Sequence, residues 1–114
     1  MSKDKIINNY LPMTETAFYI LLSLCKPRHG YGIILKVQDL TKGRIKLGSG
    51  TVYGTLSKMQ RDGIVSIYSN EERKIVYEIT ETGKELMYFE IERIKELNKN
   101  ALELEGKFHE QNRL

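Results

Sequence analysis

The hydrophobic positions of this chain change from a helical spacing to a strand-like spacing and back to a helical one. Residues 17–25 are apolar on nearly all sides, which predicts a central core helix with Thr14 as its N-cap and Pro27 beyond its end. A short lead-in helix over residues 6–10 precedes it. Cys25 lies on the apolar stretch, and we therefore expect it to be a buried small hydrophobe.

Two further helices follow, each with one apolar stripe. The first helix, residues 31–40, comes after a turn at residues 28–30. The second has Ser49 as its expected cap and ends before Gly63. The predicted buried stripes are Ile33, Val37 and Leu40 on the first helix and Val52, Leu56 and Met59 on the second.

The opposite face of the second of these helices carries small, polar, aromatic and basic side chains, namely Thr51, Tyr53, Gly54, Ser57, Lys58 and Arg61. Two β-branched and aromatic segments, residues 64–68 and 75–79, predict strands, and the polar residues 69–74 between them predict a hairpin. Thr80 then caps a last helix that extends to about Phe108. This order is typical of a winged helix-turn-helix, an α+β fold that is mainly helical.

The last helix repeats apolar residues about every 3.5 positions, which is the period of a helix packed along a partner helix. Beyond Leu97 a single chain has no other core to cover this stripe. We therefore expect a homodimer, and the alternative is a frayed single tail. The predicted dimer interface is Met87, Ile91, Ile94, Leu97, Ala101, Leu104 and Phe108.

Charge is distributed unevenly along the chain. Residues 1–79 carry 12 basic and 7 acidic side chains, whereas residues 80–114 carry 6 and 8. Between Asp39 and Asp62 there are five bases and no acid, which suits either a bound polyanion or an ordinary solvated face. We therefore divide the chain into a winged helix-turn-helix DNA-binding domain, residues 1–79, and a long C-terminal dimerisation helix, residues 80–114. In such a domain the helix before the hairpin fits the DNA major groove.

Several segments carry a more specific pattern, among them Leu11-Pro12-Met13-Thr14, Arg28-His29-Gly30-Tyr31-Gly32-Ile33, Leu47-Gly48-Ser49-Gly50-Thr51-Val52-Tyr53-Gly54-Thr55-Leu56 and Tyr77-Glu78-Ile79-Thr80-Glu81-Thr82-Gly83. In order and spacing they resemble the PadR family of bacterial transcriptional regulators over residues 11–83. The resemblance implies a winged-helix repressor that dimerises through its C-terminal helix and binds a palindromic DNA operator. The single C-terminal helix resembles the smaller PadR subfamily, in which some members respond to hydrophobic compounds.

The predicted DNA-binding residues are Lys42, Arg44, Lys46, Ser49, Gly50, Thr51, Tyr53, Gly54, Ser57, Lys58, Arg73 and Lys74. For Tyr53 the alternative is packing against the preceding helix, and for each lysine it is plain solvation. Two features depart from the family pattern. The hairpin tip is shortened to residues 70–74 with two acids, which leaves a contact between the hairpin and DNA open. The chain has no tryptophan, so a drug site that clamps planar ligands between indoles cannot be carried over.

A small hydrophobic effector is a further hypothesis. Met13, Met87, Phe89 and Ile94 are expected to border a space between two subunits, and methionines adapt to ligands of irregular shape. The alternative is that these residues simply fill a core.

Composition argues against several other classes. The single cysteine allows no intrachain disulfide and no CxxC motif, which fits a reducing cytoplasm. No apolar run approaches the length of a membrane span, and the N-terminus has no signal-peptide pattern. His29 and His109 share no metal-site context, and the sequence has no nucleophile elbow or phosphate loop, so we expect neither an enzyme nor a cofactor. The remaining alternative to a DNA-binding regulator is a winged-helix module that binds protein and not DNA.

Overall fold

The fold is mainly helical, with a small antiparallel sheet and a long C-terminal helix, in a computed structural model that describes residues 2–111. The helices are α1 (Lys3–Tyr10), α2 (Glu15–Ser23), α3 (Gly30–Leu40), α4 (Ser49–Arg61) and α5 (Glu81–Gln111). The strands are β1 (Arg28–His29), β2 (Val65–Glu71) and β3 (Lys74–Ile79). This order confirms the predicted winged helix-turn-helix.

Hydroxyl caps define the starts of α2 and α5. The Thr14 hydroxyl accepts a hydrogen bond from the Ala17 N–H at 3.1 Å, and Thr80 accepts one from the Gly83 N–H at 3.1 Å. Both predicted caps are therefore confirmed. The predicted cap at Ser49 is wrong, because the extended residue before it is the N-cap of α4 and Ser49 is already helical.

The core lies where α2, α3, α4 and the first turns of α5 meet. Its completely buried side chains include Ile20, Ile33, Val37, Val52, Leu56, Met59 and Leu86. The predicted stripe on α3 is wrong at its last member, because Leu40 is the final helical residue and is 42% exposed. Cys25 is also exposed rather than buried, since α2 ends at Ser23 and the cysteine lies in the turn that follows.

The sheet has the strand order β1-β3-β2 with antiparallel pairing throughout. The prediction of a simple turn at residues 28–30 missed β1, in which Arg28 pairs with Tyr77 and His29 pairs with Val76. A strand of two residues has no alternation that a sequence pattern could reveal. β1 therefore joins the start of α3 to the hairpin.

The β2–β3 hairpin is longer than predicted. Only Glu72 and Arg73 form the turn, and both have positive φ angles, 51° and 65°. Such a pair of angles is typical of a two-residue type I′ turn, which normally contains asparagine or glycine. Because neither residue type is present there, the sequence indicated a wider loop.

The α5 helix leaves the core partway along its length. Leu86 is completely buried, and Glu90 accepts a hydrogen bond from the Met13 N–H at 2.7 Å that ties α5 to the start of α2. Residues 94–109 are all exposed in the single chain. No helix within residues 2–111 is long and apolar enough to cross a membrane.

Candidate nucleic-acid interface

The α4 helix divides sharply into a buried face and an open face. Val52, Leu56 and Met59 are completely buried and hold the helix against the core. The other face is exposed, with Ser49, Gly50, Thr51, Tyr53, Gly54, Ser57, Lys58 and Arg61 on it. An ideal Cβ atom at Gly50 or Gly54 would meet no atom within 4 Å, so the space outside this face is open. A large ligand can therefore approach the backbone of α4 closely.

The Tyr53 ring lies against Gly30, the first residue of α3. An ideal Cβ on Gly30 would lie 2.5 Å from the Tyr53 Cζ, so no larger residue fits at Gly30 without moving the ring. Tyr53 nevertheless remains 45% exposed. The ring therefore packs against the preceding helix, as the alternative interpretation had it, while the side chain stays accessible from outside.

The segment between α3 and α4 carries three exposed bases. Lys42, Arg44 and Lys46 are exposed, while Ile45 and Leu47 alternate with them and pack against the core. Lys42 lies in a turn with a positive φ angle of 50°, so a regular alternation of side chains does not extend back to it. The three predicted bases are therefore exposed in the segment that leads into α4.

Two of the five bases in the acid-free stretch are paired with acids in the folded chain. Arg44 Nη1 donates a hydrogen bond to Glu15 Oε1 at 2.6 Å, and Lys58 Nζ donates one to Asp62 Oδ2 at 2.8 Å. The bond to Glu15 raises the pKa of Arg44, and the bond to Asp62 raises the pKa of Lys58. Counting charges along the sequence missed the first pair, because its partners are 29 residues apart.

Tyr10 completes the contact between Lys58 and Asp62. Its hydroxyl donates to Asp62 Oδ2 at 2.7 Å, and Lys58 Nζ lies 3.3 Å from the same hydroxyl and 4.5 Å from the ring centroid. Burial and the bond to Asp62 raise the pKa of Tyr10 to about 12. Hydrogen bonds from Lys58 and Tyr10 lower the pKa of Asp62. This cluster joins α1 to the end of α4, and no sequence pattern pointed to it.

The hairpin carries exposed apolar side chains as well as the predicted bases. Arg73 and Lys74 are exposed at its tip. Tyr68 is 61% exposed and lies at an irregularity in the β2–β3 pairing, and Ile67 and Ile75 are also exposed. Sequence reasoning had assigned no role to these three apolar residues.

The predicted dimer interface falls into two parts. Met87 is buried in the core of its own chain and Ile91 packs against that core. The remaining members are exposed, namely Ile94, Leu97, Ala101, Leu104 and Phe108. The part of the apolar stripe that is exposed to solvent in the single chain therefore begins at Ile94.

The four residues predicted to border an effector do not meet in one chain. Met13 and Ile94 line a cleft of about 410 Å³ between α2 and α5. Met87 lines a second cleft and Phe89 a third, because they point to different sides of α5. Among residues 2–111 no group of three or more His, Cys, Asp or Glu side chains could hold a metal ion.

The fold and the open face of α4 define the class of winged-helix transcription regulators. A sequence model of the transcriptional regulator PadR-like family matches residues 19–88, and the chain belongs to this family. The family consists of transcription regulators and not of enzymes, in agreement with the sequence prediction. Among curated proteins no sequence matches the chain significantly.

Solved structures share the fold. A transcriptional regulator from Clostridium thermocellum is 24% identical, with a TM-score of 0.64 over 90% of this chain and 95% of that one. A PadR family transcription regulator from Clostridium difficile R20291 is 20% identical, with a TM-score of 0.66 over 80% and 98%. Bacillus subtilis PadR in complex with operator DNA is 22% identical, with a TM-score of 0.57 over 68% and 46%. At these identities the similarity shows the fold.

Proposed function

We propose that this regulator is a repressor that binds a palindromic DNA operator as a homodimer. The observation that carries the proposal is the division of α4, whose Val52, Leu56 and Met59 are completely buried while the opposite face is exposed. A helix held in this way can enter the major groove, which is about 12 Å wide, without leaving the core. The open space at Gly50 and Gly54 favours a close approach.

The exposed residues suggest a division of roles. The hydroxyls of Thr51, Ser57 and Tyr53 can reach base edges or phosphates from α4. Lys42 and Lys46 are exposed in the segment that leads into that helix and suit phosphates, which fix orientation without reading sequence. Specificity would therefore come from α4, and most of the salt-dependent affinity from the bases.

Dimerisation through α5 follows from its uncovered apolar positions. Ile94, Leu97 and Leu104 are all exposed in the single chain, and they lie on one face at heptad spacing. Pairing two such helices buries the stripe and holds two α4 helices together. Helix-turn-helix dimers reach successive major grooves about 34 Å apart, which requires a two-fold symmetric operator.

The solved complex of Bacillus subtilis PadR with operator DNA supports duplex DNA as the partner. The cleft between α2 and α5 supports an effector with a hydrophobic part, because Met13, Phe18 and Ile94 line it beside the charged Glu15, Glu90 and Arg93. Ile94 also begins the proposed dimer interface. A second subunit would close this cleft from the side of α5. We test this part by titrating planar lipophilic dyes into the DNA complex, and no release across a broad panel would refute it.

The hairpin favours a second candidate function, a module that binds another protein. Tyr68, Ile67 and Ile75 expose apolar surface, which DNA phosphates do not require, and Glu72 lies at the tip. In this alternative α4 would contact protein and bind no duplex specifically.

A matched pair of variants distinguishes the two candidates. Ser57→Glu places a carboxylate on the open face of α4, and Lys99→Gln lowers the net charge by the same single unit on the exposed part of α5. We expect Ser57→Glu to abolish sequence-specific gel shifts of genomic fragments, including the protein's own promoter, while Lys99→Gln retains them. Wild-type protein that shifts no fragment specifically would favour the protein-binding module.

A further inference from the structure

We propose that Glu15 is a positioning residue that holds Arg44 away from DNA, and that it thereby lowers both the affinity and the salt dependence of DNA binding. The inference rests on the proposed function, because Arg44 is one of the candidate phosphate contacts. It goes beyond that function, since Glu15 lies on α2 and was not predicted to influence DNA binding.

The geometry places Arg44 over the first turn of α2. Its Nη1 lies 2.6 Å from Glu15 Oε1, and Tyr19, one helical turn further along α2, also interacts with the guanidinium. Thr14 caps this turn of α2. Arg44 is thus bound by two groups on a rigid helix, although it belongs to the irregular segment before α4.

The neighbouring bases provide an internal comparison. Lys42 and Lys46 belong to the same segment as Arg44 and are likewise exposed. Among the ion pairs of the described residues, only Arg44 of these three has an acidic partner. A phosphate that binds Arg44 must therefore compete with a carboxylate, whereas one that binds either lysine need not.

The pair contributes little to the fold, so it can be removed without unfolding the protein. Its side chains are 60% and 55% exposed, and exposed ion pairs are worth little because solvent screens them. The energy that such a pair does supply favours the DNA-free state. Removing the carboxylate should transfer Arg44 from Glu15 to a phosphate.

A double-mutant cycle isolates this effect from the general loss of a negative charge. The four proteins are wild type, Glu15→Gln, Arg44→Ala and the double variant. Glu81→Gln serves as the control, because it removes a carboxylate from an exposed ion pair with Lys84 at the start of α5. Each protein is titrated with the protein's own promoter fragment and with a random-sequence duplex of about four helical turns, at several salt concentrations.

We expect Glu15→Gln to bind both duplexes between about 2-fold and 25-fold more tightly, since a dimer carries the pair twice. The slope of log K against log salt should steepen by up to about 1.8, one additional phosphate contact per subunit. The double variant should bind with the same affinity and the same salt slope as Arg44→Ala. Glu81→Gln should likewise match wild type in both.

If Glu15→Gln raises the affinity for DNA equally with and without Arg44, the inference is overturned, because the gain would then come only from weaker repulsion between the protein and DNA. An unchanged affinity and slope in Glu15→Gln would overturn it as well, while leaving the proposed function intact. A wild-type protein that binds neither duplex would refute the proposed function, and this inference with it.

Discussion

Two glycines of the same helix should respond to alanine in opposite directions. Gly83 lies in the first turns of α5, where an ideal Cβ would overlap the carbonyl oxygen of Ile64 and lie 2.6 Å from Ile79 Cγ1. Gly106 lies near the other end of α5, and an ideal Cβ there would meet nothing within 4 Å. It also faces away from the predicted dimer interface. Comparing the two alanine variants therefore separates the effect of helix propensity on stability from the effect of close packing.

The magnitudes follow from this geometry. In an open helix interior, alanine is more favourable than glycine by about 0.5–1 kcal/mol, which is the gain expected for Gly106→Ala. At Gly83 the obstacle is backbone, and the Ile64 carbonyl oxygen already accepts hydrogen bonds from Thr80. Overpacking costs about 1–3 kcal/mol, and weakening these bonds adds about 1 kcal/mol. Because both glycines are helical, the propensity gain applies to both variants and cancels in their comparison, so we expect them to differ by about 2–4 kcal/mol in their free energy of unfolding.

Urea denaturation followed by far-UV circular dichroism measures this difference, with all proteins at one concentration because a dimer's stability depends on it. With an ordinary urea dependence, the midpoints of the two variants should differ by about 1–2 M. A Gly83→Ala variant as stable as wild type would refute the close packing of α5 on Ile64, the residue before β2. A loss of stability in Gly106→Ala would contradict the open surroundings of that residue.

Three further predictions concern the proposed interfaces and the Tyr10 cluster. Ile94→Glu should yield monomers by sedimentation and weaken operator binding at least about 100-fold, whereas a variant that remains dimeric would place the interface elsewhere. Tyr53→Phe keeps the ring against Gly30, so stability should stay within about 0.5 kcal/mol of wild type while operator affinity falls several-fold; unchanged affinity would leave the ring a packing role only. Tyr10, whose pKa is raised to about 12, contributes stability that is complete below its ordinary pKa of 10.0 and is lost as the pH rises toward 12. Tyr10→Phe should therefore lose less stability than wild type between pH 10 and about pH 12. Urea titrations at several pH values measure this, and an equal loss in the two proteins would contradict the cluster.

Local patterns predicted the fold well wherever the determinant lies within one helix. The caps at Thr14 and Thr80 depend on residues three positions apart, and the α4 stripe depends on helical spacing. The errors arose where the determinant is distant or very short. β1 exists only because β3 lies beside it, and Cys25 is exposed because α2 ends before it.

The candidate site was predictable only in outline. The exposed face of α4 follows from its buried stripe, and those residues remain predictions as DNA contacts. The pair Glu15 and Arg44 joins residues that are 29 positions apart, and Tyr10 reaches the end of α4 across 52 positions. A single sequence contains no periodic signal for such pairs, because they depend on how α1 and α2 pack against the rest of the fold.

Selection of bound sequences from a random duplex library tests the central claim most directly, since it requires no knowledge of the operator. Wild-type protein should enrich an inverted repeat whose half-sites are centred about one helical turn, or a whole number of turns, apart. The same selection with Ser57→Glu should enrich no sequence. A wild-type selection that enriches no common sequence, or only a single unrepeated half-site, would contradict a dimeric regulator that reads DNA with α4.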